Sequence, residues 1–253
     1  MNVNPYAPPK AQEPSAARQG AYAATAQPWE IGEVLRAAFE GTKANWVVLV
    51  FTQLLAFVIG EALALGQRYL PFMPKDEWIL DAYRTRSLSV IATGCAGMLV
   101  GSVVHAYFQV GLLRISLGVA RGERVSFGTL FGGLDRFVPV LVAYLVALLG
   151  LSLGLVLLVV PGIIVSVALT FASYFVVDQE MGPIEGVVAS WHLTDGQRGQ
   201  VFLLLLAEGL LLVGALLCCG FPFFFAVPAC TLATTIVYLR MTGGGRLGAA
   251  RGV

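Results

Sequence analysis

Charge is what this chain has least of. Only 12% of its 253 residues are Asp, Glu, Lys or Arg, against about 25% in a domain that faces water. With 57% hydrophobic residues and a mean hydropathy of +0.79, most of its surface belongs in lipid, which excludes a soluble enzyme. The 16 basic and 15 acidic residues nearly cancel, so there is no global field for nucleic acid or an acidic partner. Cysteine and histidine are scarce too. Cys95, Cys218, Cys219 and Cys230 lie in apolar stretches, without the C-x-x-C or Cys/His spacing of a metal site. Neither a disulfide framework nor a metal is expected. The chain also lacks a phosphate-cradling glycine loop and a pair of catalytic carboxylates, so no cofactor is expected.

Residues 1–28 read differently from the rest. Pro5, Pro8, Pro9, Pro14 and Pro28 punctuate a run of Ala, Gln and Ser without apolar periodicity. Such a composition buries too little to offset the entropy of ordering, and predicts a disordered tail. No apolar stretch follows its few charges, so a signal peptide is not expected.

Apolar spans then follow. A crossing of the hydrocarbon core needs about 20 residues. Span one runs from about Asn45 to Leu65 and span two from about Leu88 to Leu113. Val138 to Val177 is a run of 40 residues without a formal charge, too long for one crossing. Pro161-Gly162 is the expected hairpin turn, dividing span three (Val138 to about Val159) from span four (Gly162 to Val177). Span five covers about Val201 to Cys219, and span six ends near Arg240. Six crossings place both tails, the second loop and the fourth loop on one side, with twelve basic residues against four on the other. That imbalance predicts cytoplasmic termini. Residues 29–242 are thus the membrane domain, and 243–253 a flexible cytoplasmic tail.

Three short segments precede spans one, three and five. Ile31, Val34, Leu35, Ala38 and Phe39 share a helical face. So do Phe127, Leu130, Phe131 and Leu134, with Ser126 as the expected N-cap. Ile184, Val187, Val188 and Trp191 form the third, entered by Pro183 and closed by Gly196. Each predicts an amphipathic helix at the membrane interface, too short to span. The unit of interfacial helix plus transmembrane hairpin then occurs three times. The expected fold is all-α: a six-helix transmembrane bundle. The longest outer loop, about Gly66 to Ser87, carries Pro71, Pro74, Trp78 and Tyr83 and reads as an outer-leaflet aromatic anchor.

The wording of the second half is characteristic. Pro161-Gly162-Ile163 opens a span closing at Val177-Asp178, followed by Gly182-Pro183-Ile184-Glu185, Ser190-Trp191 and Leu193-Thr194-x-Gly196. Upstream stand Gly111-Leu112-Leu113-Arg114, Arg121-Gly122-Glu123 and Ser126-Phe127. From about Trp29 to Met241 the chain resembles the six-span membrane domain of some bacterial glycerophosphodiester phosphodiesterases and stand-alone inner-membrane proteins related to it. The resemblance implies a helical bundle in a bacterial cytoplasmic membrane. The phosphodiesterase domain itself, with its metal-binding carboxylates, has no counterpart in these residues, so its activity is not implied.

Gly150-Leu151-Ser152-Leu153-Gly154 matches G-x-S-x-G, the nucleophile elbow. That motif needs a strand-to-helix turn, and this copy lies inside an uncharged span. Ser152 sits roughly 21 Å from the cytoplasmic face and His105 roughly 13 Å, so the two are mismatched in depth. Gly150 and Gly154 are better read as a face for helix packing, and Gly97 and Gly101 as a second. Those faces permit a homo-oligomer or a protein partner.

Glu208 stands out among leucines in the middle of span five. An ionised group there costs about 2.5–3.5 kcal/mol on insertion scales, so it needs a partner or a wet cavity, or else the carboxyl stays protonated. Its depth of roughly 12 Å matches those of His105 and Gln53, with Gln109, Tyr144 and Thr170 in the same half of the bilayer. A polar layer centred on a Glu208–His105 contact is expected. Arg114, Arg121, Arg124 and Arg136 are expected to meet anionic lipid headgroups.

These features predict a non-enzymatic membrane protein that organises the envelope, acting on lipid or on partner proteins. The alternative is a small-solute or proton-coupled transporter built on the Glu208 layer; an intramembrane hydrolase using Ser152 is more remote. A transporter would show a water-accessible cavity reaching Glu208 and broken helices near the midplane. A scaffold would show continuous helices and a dry centre.

Overall fold

The computed structural model describes residues 27–69, 88–157, 159–218 and 222–244, without the side chains of 63–100, 153 and 155–159. Among the described residues it is all-helical. The elements are α1 (Ile31–Ala44), α2 (Trp46–Tyr69), α3 (Leu88–Arg121), a 3-10 turn (Phe127–Phe131), α4 (Phe137–Leu157), α5 (Val159–Leu169), α6 (Ala172–Asp178), α7 (Pro183–Leu193), α8 (Arg198–Leu217) and α9 (Phe223–Thr242). The described stretches of α3, α5–α6, α8 and α9 are long and apolar enough to cross a membrane. The bent pair α1–α2 makes a fifth if the two helices are counted as one span, and α4 contributes a shorter apolar stretch, Phe137–Ser152.

The centre of the bundle is α9, buried almost continuously from Ala226 to Met241 and packed against α1, α2, α3 and α8. α1 turns 90° into α2. Asn45 stands at the turn, where its main-chain N–H and its side-chain Nδ2 both donate to the Gly41 carbonyl, each at 3.1 Å. A short amide side chain of this kind competes with the helical pattern. α1 lays Val34, Ala38 and Thr42 inward, leaving Glu33, Arg36, Glu40 and Lys43 exposed.

α4 and α5 pack as an antiparallel hairpin. The turn lies earlier than the sequence suggested. Pro161 and Gly162 fall in the first turn of α5, where proline is tolerated because its missing N–H would have no helical partner. Gly162 serves contact instead: its Cα would stand 2.8 Å from a Cβ on Gly154. Backbones this close admit only glycine at that position of α4.

The returning helix breaks at Thr170–Phe171, between α5 and α6. Ser190 on α7 fills the break, accepting from the Phe171 N–H at 3.1 Å and donating to the Ala168 carbonyl at 2.7 Å. Gly186, one turn earlier on α7, allows this approach, since a Cβ there would meet Val176 and the Ala172 carbonyl. α7 is thus seated on the break through Gly186 and Ser190, with Ile184, Val188 and Trp191 exposed. It starts at Pro183, with the Gly182 N–H donating to the Glu185 carboxylate at 3.3 Å. The second expected interfacial helix is only the 3-10 turn, and Ser126 makes no side-chain capping bond.

Candidate functional site

Glu208 faces inward because α8 buries Val201, Leu204 and Glu208 on one face, while Leu203, Leu206, Leu210 and Leu217 are exposed. It is only 7% exposed. Its partner is Thr234 on α9, whose Oγ1 stands 3.0 Å from one carboxylate oxygen and 3.2 Å from the other. The neighbouring Cys230 thiol donates to the Glu208 main-chain carbonyl at 3.9 Å. One residue further, Thr235 Oγ1 lies 3.2 Å from the Tyr174 hydroxyl and 3.1 Å from Ser116 Oγ, tying α9 to α6 and α3.

These groups border a cavity of about 580 Å³. Its polar lining is Gln53 and Glu61 from α2, His105 and Gln109 from α3, Thr170 and Tyr174 at and after the helix break, Glu208 from α8, and Thr231 and Thr234 from α9. Phe57, Phe108, Leu112, Leu212 and Val227 supply apolar wall. Glu208, His105 and Gln53, matched in depth from the sequence, therefore line one space with Gln109 and Thr170 from the same half of the bilayer, and Tyr144 does not. The expected centre differs. Glu208 bonds to Thr234, while the His105 ring packs on Tyr144 of α4 with centroids 5.3 Å apart. The Gln109 side-chain oxygen is enclosed and has no hydrogen-bond partner among the described residues. Thr231, Thr234 and Tyr174 escaped the sequence reading, although a threonine cluster at helical spacing in an apolar span was the available sign.

Polar contacts gather at one end of the bundle. Arg121 at the end of α3 pairs with Asp178 at the end of α6, at 2.5 Å. The Tyr238 hydroxyl donates to the same carboxylate at 3.2 Å, and the Tyr238 ring stacks on Tyr174 with centroids 5.1 Å apart. Arg114 pairs with Asp135 at 2.7 Å and also donates to the Gly132 carbonyl. That bond holds the Asp135 carboxyl below the usual carboxylate range. Arg136 pairs with Glu180 at 2.7 Å. Three of the arginines expected at lipid headgroups thus face protein carboxylates, and Arg124 is exposed without an ion pair among the described residues.

Gly150 stands at ordinary contact distance from Val165, and Gly154 is tight against Gly162. Gly101 is exposed, with nothing described within reach of a Cβ. Gly97 lies on α3 but among the residues whose side chains are not described. Ser152 donates to the Leu148 carbonyl of its own helix at 2.8 Å and is exposed away from the cavity lining.

No family model and no solved structure matches the chain. It is 26% identical over 229 residues to uncharacterised proteins of Mycobacterium bovis and of two strains of Mycobacterium tuberculosis, an alignment covering 85% of this chain and 70% of each relative.

Proposed function

We propose that this is a non-enzymatic integral membrane protein of the bacterial cytoplasmic membrane, and that its polar cavity is the solute site of a small-molecule carrier. The observation that carries the reading is the cavity itself. It reaches Glu208 at mid-span, and its walls include a helix break at Thr170 and Val227, the residue before Pro228 inside α9. Carriers build their sites at such interrupted helices near the midplane. The cavity favours this over an envelope scaffold, which has no comparable use for one.

Six crossings with both termini inside fit the same picture. Ion pairs join the end of α3 to the end of α6 and the start of α4, and Trp29 Nε1 donates to Gln197 just before α8. Arg240 at the end of α9 pairs with Glu33 of α1. Alternating passes through α2, α3, α4, α5–α6, α8 and α9 would bring these ends together. The positive-inside imbalance then makes that end cytoplasmic.

Cys230 provides the test, because it lines the cavity and carries a free thiol. Cys95, Cys218 and Cys219 are replaced by alanine, and whole cells and inverted vesicles are exposed to a membrane-impermeant methanethiosulfonate. The carrier reading expects Cys230 to be modified in the folded protein from at least one side. Leu206→Cys, on the exposed face of α8, should resist. If Cys230 reacts only after denaturation, as Leu206→Cys does, the cavity is dry and the reading fails.

A further inference from the structure

We propose that the cavity takes a small organic amine in its ammonium form, held by Glu208 and Gln109 with its apolar body against Phe57 and Phe108. This rests on the carrier reading and names its solute class.

Hydrogen-bond supply and demand in the cavity are unequal. A carboxylate offers about four lone-pair sites, and the one hydroxyl proton of Thr234 answers only one of them. The Gln109 side-chain oxygen is enclosed and has no hydrogen-bond partner among the described residues, so it accepts from a solute once its amide turns into the cavity. The site therefore wants donors, and an ammonium brings three with no acceptor. Charge selects in the same direction. Glu208 and Glu61 line the cavity, and no lysine or arginine does among the described residues. An anionic solute would meet two carboxylates and no fixed cation.

Size and walls make the solute organic. A volume of about 580 Å³ lies within the range of roughly 300–1,000 Å³ usual for small-molecule sites. A bare metal ion would want a tight cage, and no group of three His, Cys, Asp or Glu side chains among the described residues is placed to form one. The aromatic side chains of Phe57 and Phe108 suit an apolar body, and an aromatic ring presented face-on attracts a cation. Charge-assisted N–H to carboxylate bonds are about twice as strong as neutral ones, so Glu208 is the anchor.

The test uses the full chain in lipid nanodiscs, with binding measured by equilibrium dialysis and empty nanodiscs subtracted. The probes are 1-naphthylmethylamine, a cation at neutral pH, and 1-naphthalenemethanol, its neutral counterpart. The amine is expected to bind saturably and at least tenfold tighter than the alcohol. Glu208→Gln should weaken the amine at least tenfold and leave the alcohol unchanged, and Gln109→Leu should weaken the amine several-fold. Elution volume and melting temperature establish that each variant is folded; should Glu208→Gln fail, Gln109→Leu carries the comparison. If the alcohol binds as well as the amine, or the amine is indifferent to both substitutions, the ammonium assignment is overturned. An accessible Cys230 would then leave the carrier reading standing. If neither probe binds although Cys230 is accessible, the ammonium class is likewise wrong.

Discussion

Thr234 on α9 donates its single hydroxyl proton to the Glu208 carboxylate on α8, lying 3.0 and 3.2 Å from the two oxygens. The bond links α8 to α9 beside the Cys230 contact, and losing the hydroxyl takes from the carboxylate its hydrogen-bond partner among the described residues. Thr234→Val is expected to destabilise the protein by about 1–3 kcal/mol, the usual cost of an unsatisfied buried group. Thr234→Ser should restore most of it. The double variant Glu208→Leu/Thr234→Val should be less damaged than Thr234→Val alone, because nothing polar is left unpaired. Unfolding in mixed detergent measures all three; a Thr234→Val protein as stable as the parent would show that the bond contributes nothing.

Ser190 is the second polar dependence. Its hydroxyl serves the Phe171 N–H and the Ala168 carbonyl at the break, where both residues are fully buried and need a partner. Ser190→Ala should cost about 1–3 kcal/mol on the same assay. Ser152→Ala is the matched control. That hydroxyl only doubles a bond to a carbonyl of its own helix, so its loss should fall within about 0.5 kcal/mol. Equal effects from the two substitutions would mean that the break is not held by Ser190.

The helical class was legible in the sequence because apolar runs without charge leave few alternatives. Counting helical rise from the span ends points to one half of the bilayer for Gln53, His105, Gln109, Tyr144, Thr170 and Glu208, and all of these but Tyr144 border the cavity. Rotation about each axis was not legible. His105 lines the same cavity as Glu208 yet packs on Tyr144, and Thr234 is the partner of Glu208. Pro161-Gly162 misled for a related reason. Proline marks a helix start as readily as a turn, and only the Gly154 contact shows which. The arginines were assigned to lipid because their carboxylate partners lie up to 57 residues away along the chain.

The ion pair between Arg114 and Asp135 sets a pH dependence of definite sign. Asp135 has a depressed pKa in the folded state because Arg114 bonds to its charged form. A depressed carboxyl stabilises the fold above its unfolded pKa of about 3.9 and loses that contribution as pH falls through the lower folded value. Asp135 is 56% exposed, so water screens the pair and the gain stays within about 0–1 kcal/mol. Arg114→Gln should return the Asp135 titration to the ordinary carboxylate range, followed by carboxyl-carbon NMR. An Asp135 titration unchanged by that substitution would assign the depression to another cause.

Gly154 and Gly101 separate packing inside the chain from packing between chains. A Cβ on Gly154 would stand 2.8 Å from the Gly162 Cα, and backbone cannot yield as a side chain can. Gly154→Ala must therefore push α4 from α5, at a cost of about 1–3 kcal/mol for overpacking. Gly101 is exposed with open space where a Cβ would go, so Gly101→Ala should leave the stability of an isolated chain within about 0.5 kcal/mol. Gly101→Leu extends the comparison to self-association. A glycine face that brings two copies of α3 together would be blocked by leucine, shifting light-scattering mass in detergent from dimer to monomer. A mass unchanged by Gly101→Leu would assign the exposed glycine to lipid. Loss of folding in Gly101→Ala, with Gly154→Ala intact, would reverse the roles given to the two faces.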